Sequence, residues 1–267
     1  RGAVGARAGE PVPGHEHDVT LRRARVRAEQ VARENQQELD AELDAMIDAQ
    51  RQRVSQAAGL LEAVVRSGEL GSAEQLRPAF RDSATQQRLI LADASALGER
   101  VAREREQMLA VPDEERSPED TLKAAQLEGV LAHLDSAIER MGQTRRQLRQ
   151  RRAERAYRRG SRALGDLKRA RDQLRDPVSQ IDILLAEVGG LAGATSALAS
   201  SGLSQDPSAG SAGSKGPTAL PAFLPRESIE ADSGENEARV AELAMRLALA
   251  AHQAQQPTNA TTASSSL

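Results

Sequence analysis

SPEDTLKAAQLEGVLAHLDSAIERMGQTRRQLRQRRAERAYRRGSRALGDLKRARDQLR, residues 117–175, is the stretch that decides the fold class. Ser117 offers a capping hydroxyl, Pro118 stands where a first-turn proline is tolerated, and Glu119 and Asp120 set acids against the positive end of a helix. No further proline occurs until Pro177. Leu127, Leu131, Leu134, Ile138 and Met141 recur every three or four residues and so share one face. The spacing predicts a single helix to about Arg175, roughly 85–90 Å long at ~1.5 Å per residue. Gly142, Gly160 and Gly165 are its expected weak points, each about 1 kcal/mol poorer than alanine.

Charge divides this stretch. From Arg140 to Arg175 there are 14 Arg or Lys and 3 Asp or Glu, a balance of +11 in a chain of net −3, which leaves −14 for the remainder. On an unbroken helix the arginines would point in nearly every direction, and like charges one turn apart repel by a few tenths of a kcal/mol. Three outcomes compete. Acids at 34–48, 113–120 and 227–237 neutralise the run from within the chain. An acidic protein partner docks on it, through Arg145, Arg149, Arg152, Arg155 and Arg159 with Leu148 and Tyr157 as apolar anchors. A nucleic acid or an anionic lipid surface binds it by charge alone, since Tyr157 is the one stacking residue and no apolar face is present to enter lipid.

Upstream, residues 19–66 read as a long helix with a heptad seam at Leu43, Ile47, Gln50, Val54, Ala57, Leu61 and Val64, spacings that keep one stripe facing a neighbouring helix. Ser67-Gly68 and Gly71-Ser72 end it. Residues 72–110 carry a second seam, Phe80, Ala84, Gln87, Leu91, Ala94, Gly98, Val101, Arg105 and Met108, with Leu89, Ile90 and Leu97 widening the apolar face. Pro78 requires a start there or a short turn before it. Downstream, Asp176-Pro177 breaks the chain and 178–188 form a short apolar helix in which Val178, Ile181, Leu185 and Val188 keep the same spacing. The fold expected is all-α: an antiparallel hairpin of long helices, or a three-helix coiled-coil-like bundle, over 19–188. Residues 1–18 are a disordered lead-in, 189–233 a flexible Gly/Ser/Ala/Pro linker, 234–256 a short amphipathic helix and 257–267 a disordered tail. The same seams suit pairing within one chain or between copies in a homo-oligomer.

Only three aromatics occur, Phe80, Tyr157 and Phe223, so the core must be aliphatic and thin. There is no cysteine, hence no disulfide or thiolate metal site. No phosphate loop, HExxH, nucleophile elbow or cysteine nucleophile is found, so an enzyme is not expected and no cofactor is implied. His15 and His17 flank Glu16 without further ligands, which leaves a metal mostly hydrated. His133 reads as a partly exposed helix histidine ahead of a general base. No apolar run is long enough to cross a bilayer, and a signal segment before Arg1 would make the chain secreted. In that case alone the Asn259-Ala260-Thr261 sequon matters.

The chain is therefore expected to be a non-enzymatic helical scaffold that binds a protein partner through its long helices and its arginine-rich segment. The tail helix, with Val240, Leu243 and Leu247 on one face, is a second docking element. The layout over 19–188, a long amphipathic helix, shorter helices, then a Ser/Ala tail without cysteine, resembles that of secreted parasite actin-binding proteins such as toxofilin. That likeness is one of layout and not of motif. It implies actin or another cytoskeletal partner on the exposed side of the first helix, at Leu39, Leu43 and Ile47.

Overall fold

A computed structural model describes residues 13–67, 72–203 and 223–255. These are all-helical: α1 (Pro13–Ser67), the single turn α2 (Ser72–Gln75), α3 (Arg77–Leu109), α4 (Pro118–Arg149), α5 (Ala153–Leu174), α6 (Pro177–Leu203) and α7 (Phe223–Gln255). No strand occurs among the described residues, and none of their helices is long and apolar enough to cross a membrane. The chain divides into two compact units, Arg1–Glu42 and Leu43–Leu267. In the first, the described part of α1 exposes Val26 and Val31, buries Leu39, and carries a Gln30–Glu34 hydrogen bond one turn apart.

The second unit holds the core. Both upstream seams point inward: Leu43, Ile47, Gln50, Ala57 and Leu61 are buried on α1, and Phe80, Ala84, Gln87, Ala94, Gly98 and Val101 on α3. Leu89, expected to widen the apolar face, is exposed. The Pro78 problem is solved by α2, a turn at Leu76, and a new start at Arg77 that puts the proline in the first turn of α3. Ser117 caps α4 as its sequence requires, its Oγ accepting from the Asp120 amide at 3.0 Å and donating to the Asp120 carboxylate at 2.7 Å.

The long rod does not form. The chain turns at Gln150–Arg152, none of the expected glycines, and α5 folds back along α4. Thr144 meets Gly160, and Arg140 meets Asp166 and the Arg162 carbonyl. The reason lies in a second seam on α5: Ala153, Ala156, Gly160, Ala163, Leu167, Ala170 and Leu174, all buried and spaced 3, 4, 3, 4, 3, 4. A straight helix would leave this face without cover and would deprive the α4 face (Leu127, Leu134, Met141, Leu148) of the share that α5 gives it. Turning lets each bury the other, at about 2 kcal/mol for each large aliphatic removed from water. Small residues permit close approach, and at Gly160 the carbonyl accepts from Gln50 Nε2 at 3.1 Å, while Gln50 Oε1 accepts from Gln87 Nε2 at 2.9 Å. One cluster at the turn end unites Ala57, Leu60 and Leu61 of α1, Phe80 and Ala84 of α3, Leu148 of α4 and Ala156 and Tyr157 of α5.

Other boundaries also move. α1 begins at Pro13, before the expected start at 19. α6 continues through 189–203, where a linker was expected: Ala192, Ala194, Ala197 and Ala199 favour helix, and Thr195 and Ser200 bond the carbonyls of Leu191 and Ser196 one turn back. On α6 the expected seam of Val178, Ile181, Leu185 and Val188 is exposed, and the helix turns Gln180 and Leu184 inward instead. α7 begins at Phe223, ahead of 234. What remains of the expected linker, 204–222, lies outside the described residues, as do 1–12 and the tail with the Asn259 sequon.

Candidate functional site

The turn between α4 and α5 is built from its hydrogen bonds outward. Gln150 is the last half-helical residue, Arg151 takes the left-handed conformation (φ 58°), and the amides of Arg151 and Arg152 donate to the carbonyls of Leu148 (2.9 Å) and Gln147 (3.0 Å). This is the Schellman arrangement, which satisfies helix-end carbonyls and usually places glycine where Arg151 stands. Arg146 and Arg149, in the last turn of α4, lie at the negative end of that helix and favour stopping there.

Arginines cluster around this turn. Arg149 and Arg151 share a cleft of about 370 Å³ with Arg77, Arg81 and Glu74, over Phe80 and Leu148. Glu74 accepts from Arg151 Nη1 at 2.9 Å and lies 3.5 Å from Arg77 Nη1. The hydrogen bond from Arg151, with the charge of Arg77, holds its carboxyl below the usual glutamate value. Arg158 pairs with Glu154 one turn away. Arg81, Arg145, Arg146, Arg149, Arg152, Arg155 and Arg159 meet no carboxylate among the described residues. Of the predicted contacts, Arg149, Arg152 and Arg155 are exposed and Arg145 and Arg159 half-buried. Tyr157 is not available as an outward anchor: it is buried in the cluster with Leu148. Arg77 and Arg81 were not foreseen here, because they lie outside the basic run and reach it only through the fold.

The other half of α5 is the reverse case. Lys168 reaches Glu187 (3.2 Å), Arg169 grips Glu235 (2.8 and 3.0 Å), and Arg171 and Arg175 share Asp44 (2.9 and 2.7 Å). Arg239 of α7 has no exposed surface, and its guanidinium donates to both oxygens of Asp172 (2.6 and 3.1 Å) and to Glu187. Burial alone would weaken the Arg239 charge, but Asp172 and Glu187 outweigh it and raise its pKa. Burial likewise works to raise Glu187, yet Lys168 and Arg239 hold it below the ordinary value. Asp166 goes the other way: burial pushes its carboxyl up to about 6 although Arg140 Nη1 lies 3.0 Å from Oδ2.

The helix read from the sequence as a second docking element is itself part of this network. α7 lies against α6 and α5, with Asn236, Arg239, Leu243 and Arg246 facing inward, and Arg246 Nη1 donates to the Asp172 carbonyl (2.8 Å) and to Gln180 (3.1 Å). Of its three predicted docking residues, Leu243 is buried, while Val240 and Leu247 are exposed. Leu39, Leu43 and Ile47 are buried too, so they do not form an outward face on α1. Sequence reading missed Asp172, Glu187 and Arg239. The available signals were two aspartates, Asp166 and Asp172, among the cations of the second half of the basic run, and an arginine set among the aliphatics of α7. His133 is half-buried, 3.9 Å from Glu242, and burial lowers its pKa. No group of three or more His, Cys, Asp or Glu able to hold a metal ion occurs among the described residues. No protein-family model matches this chain, nor does any curated protein or solved structure.

Proposed function

We propose that this chain is a non-enzymatic helical interaction protein that binds an acidic protein partner at the α4–α5 turn. The observation that carries the reading is the set of arginines there, Arg145, Arg149, Arg152, Arg155 and Arg159 among them, that meet no carboxylate among the described residues. Guanidinium groups present a rigid donor fork to carboxylates, and several on one turn add specificity that scattered cations lack. The supporting frame is an up-down-up bundle of α3, α4 and α5 with the later half of α1 laid against it, a reading supported by the seams and by the pairs Lys123–Glu104, Gly98–Ile138 and Thr144–Gly160.

Two other classes of ligand stand behind this one. Duplex nucleic acid or an anionic lipid surface would use the same arginines by charge alone, while burial of Tyr157 removes the ring a single strand would stack on. An actin partner, implied by layout, loses the residues it was to use, since Leu43 and Ile47 are buried.

The test measures binding of the full chain to an immobilised poly-glutamate peptide, to duplex DNA and to phosphatidylserine vesicles at ~50 mM salt, where screening is weak. The expected result is preference for the peptide, lost on replacing Arg145, Arg149, Arg152, Arg155 and Arg159 with Gln. Preference for DNA or vesicles transfers the site to those ligands. Undiminished peptide binding by the five-fold variant removes the site altogether.

A further inference from the structure

The cleft beside the α4–α5 turn is more particular than the arginines spread around it. Two of its guanidiniums come from the start of α3, Arg77 and Arg81, and two from the end of α4 and the turn, Arg149 and Arg151. All four side chains are exposed, and Phe80 and Leu148, both buried, close the floor between them. Glu74 is the one acid in the lining. It shows what the cleft holds: a carboxylate of the chain itself, taken by Arg151 at 2.9 Å with Arg77 at 3.5 Å. Arg81 and Arg149 are left with no carboxylate among the described residues.

Charge and shape together narrow the ligand. Four cations against one anion leave the cleft strongly positive after Glu74 is counted. A second carboxylate would cancel one charge and offer two oxygens. A phosphomonoester brings about 1.5–2 negative charges and three strong acceptor oxygens, which suits two unmatched guanidiniums and two shared ones. A cleft of about 370 Å³ seats one such group, whereas a duplex spreads its phosphates along a rod.

Resting on the reading of this turn as the site of an acidic protein partner, we propose that the cleft receives a phosphorylated serine or threonine of that partner, held by Arg81 and Arg149 and, in competition with Glu74, by Arg77 and Arg151. Glu74 is the internal occupant. Its side chain is 70 % exposed, so it can swing into water when a dianion takes its place. A single carboxylate, carrying no more charge than Glu74 itself, displaces it poorly.

The test uses the full chain and an acidic synthetic peptide in two forms, with phosphoserine or with serine at its centre. The phosphorylated form should bind about tenfold more tightly at pH 7.5, as charge-assisted bonds to several guanidiniums are gained. Arg81→Gln should remove most of that preference, bringing the affinities for the two forms to within about twofold of each other. Glu74→Gln should tighten the phosphopeptide severalfold by removing its competitor. The preference should shrink as pH falls below about 6, where the phosphate loses its second charge. Equal affinity for the two forms, with poly-glutamate still bound, overturns this inference and leaves the acidic-partner reading standing. Binding of neither peptide overturns both. A preference untouched by Arg81→Gln and by Arg149→Gln, in variants shown intact by circular dichroism, places the phosphate elsewhere and also overturns the assignment.

Discussion

Arg145–Arg159 and Lys168–Arg175 belong to one basic run, yet the fold treats them oppositely. At the α4–α5 turn the arginines stand outside an apolar cluster, and most find no carboxylate among the described residues. One helix length further on, cations enter the interior and every one is matched, Lys168 by Glu187, Arg169 by Glu235 and Arg171 and Arg175 by Asp44. The difference teaches that charge density in a sequence does not decide exposure. What decides it is whether acids from distant segments are brought within reach. Here Asp44, Glu187 and Glu235 arrive from α1, α6 and α7.

The contrast breaks most readily at Arg239. Removing one partner from a buried charge pair costs more than the pair contributes, because the survivor is left uncompensated. Arg239→Ala should therefore lower stability by about 3 kcal/mol in urea unfolding, and not more because Arg171 Nη2 remains 3.6 Å from Asp172. Arg155→Ala at the exposed turn should change it by no more than about 0.5 kcal/mol. Equal losses at the two sites would dissolve the distinction between them.

Asp166 sharpens it through pH. Its folded pKa of about 6 lies above the ordinary 3.8, so its cost to folding is absent below the lower value and complete above the higher one. Asp166→Asn should accordingly stabilise the protein by about 2 kcal/mol at pH 7.5, with at most half that gain left at pH 4.5, while Arg140, 40 % exposed, is resolvated by water. A gain independent of pH would show that the carboxyl does not titrate in this window. Glu187, held low by Lys168 and Arg239, contributes in the opposite sense: its stabilisation is present at neutral pH and lost as pH falls through its lowered pKa.

Arg151→Gly should stabilise the turn by about 0.5–1 kcal/mol by relieving the left-handed backbone, read as a higher midpoint in urea. Smallest of all, replacing Arg146 and Arg149 with Gln should shift stability by only a few tenths of a kcal/mol, and the shift should vanish at ~1 M salt, as exposed charges are screened.

How much of this could be read in advance depended on which residues carried the pattern. Leu43, Ile47 and Leu61 at heptad spacing marked the inward face of α1 correctly, because large aliphatics gain most from leaving water, and Phe80, Ala84, Ala94 and Val101 marked that of α3. The α5 seam has the same spacing, but Ala153, Ala156, Gly160 and Ala163 give a weak hydropathy signal among arginines, and the turn was missed with it. Without that turn a long rod was the natural reading. Arg239 and Asp172 were illegible for another reason. Each is unfavourable inside alone, and only the fold makes them neighbours. At the candidate site, the excess of arginine was plain from the sequence. Which of those arginines lacked partners was not, nor that Arg77 and Arg81 would join them from α3.

The left-handed Arg151 also bears on how the chain meets proteases. Arg149, Arg151 and Arg152 are exposed at a bend closed by a few hydrogen bonds, whereas most other arginines lie within helices. Brief digestion with an enzyme that cuts after arginine should sever α4 from α5 there, giving two fragments in detergent. In native buffer they should still migrate as one particle, because the small-residue seam that turned the chain back continues to hold the severed halves together.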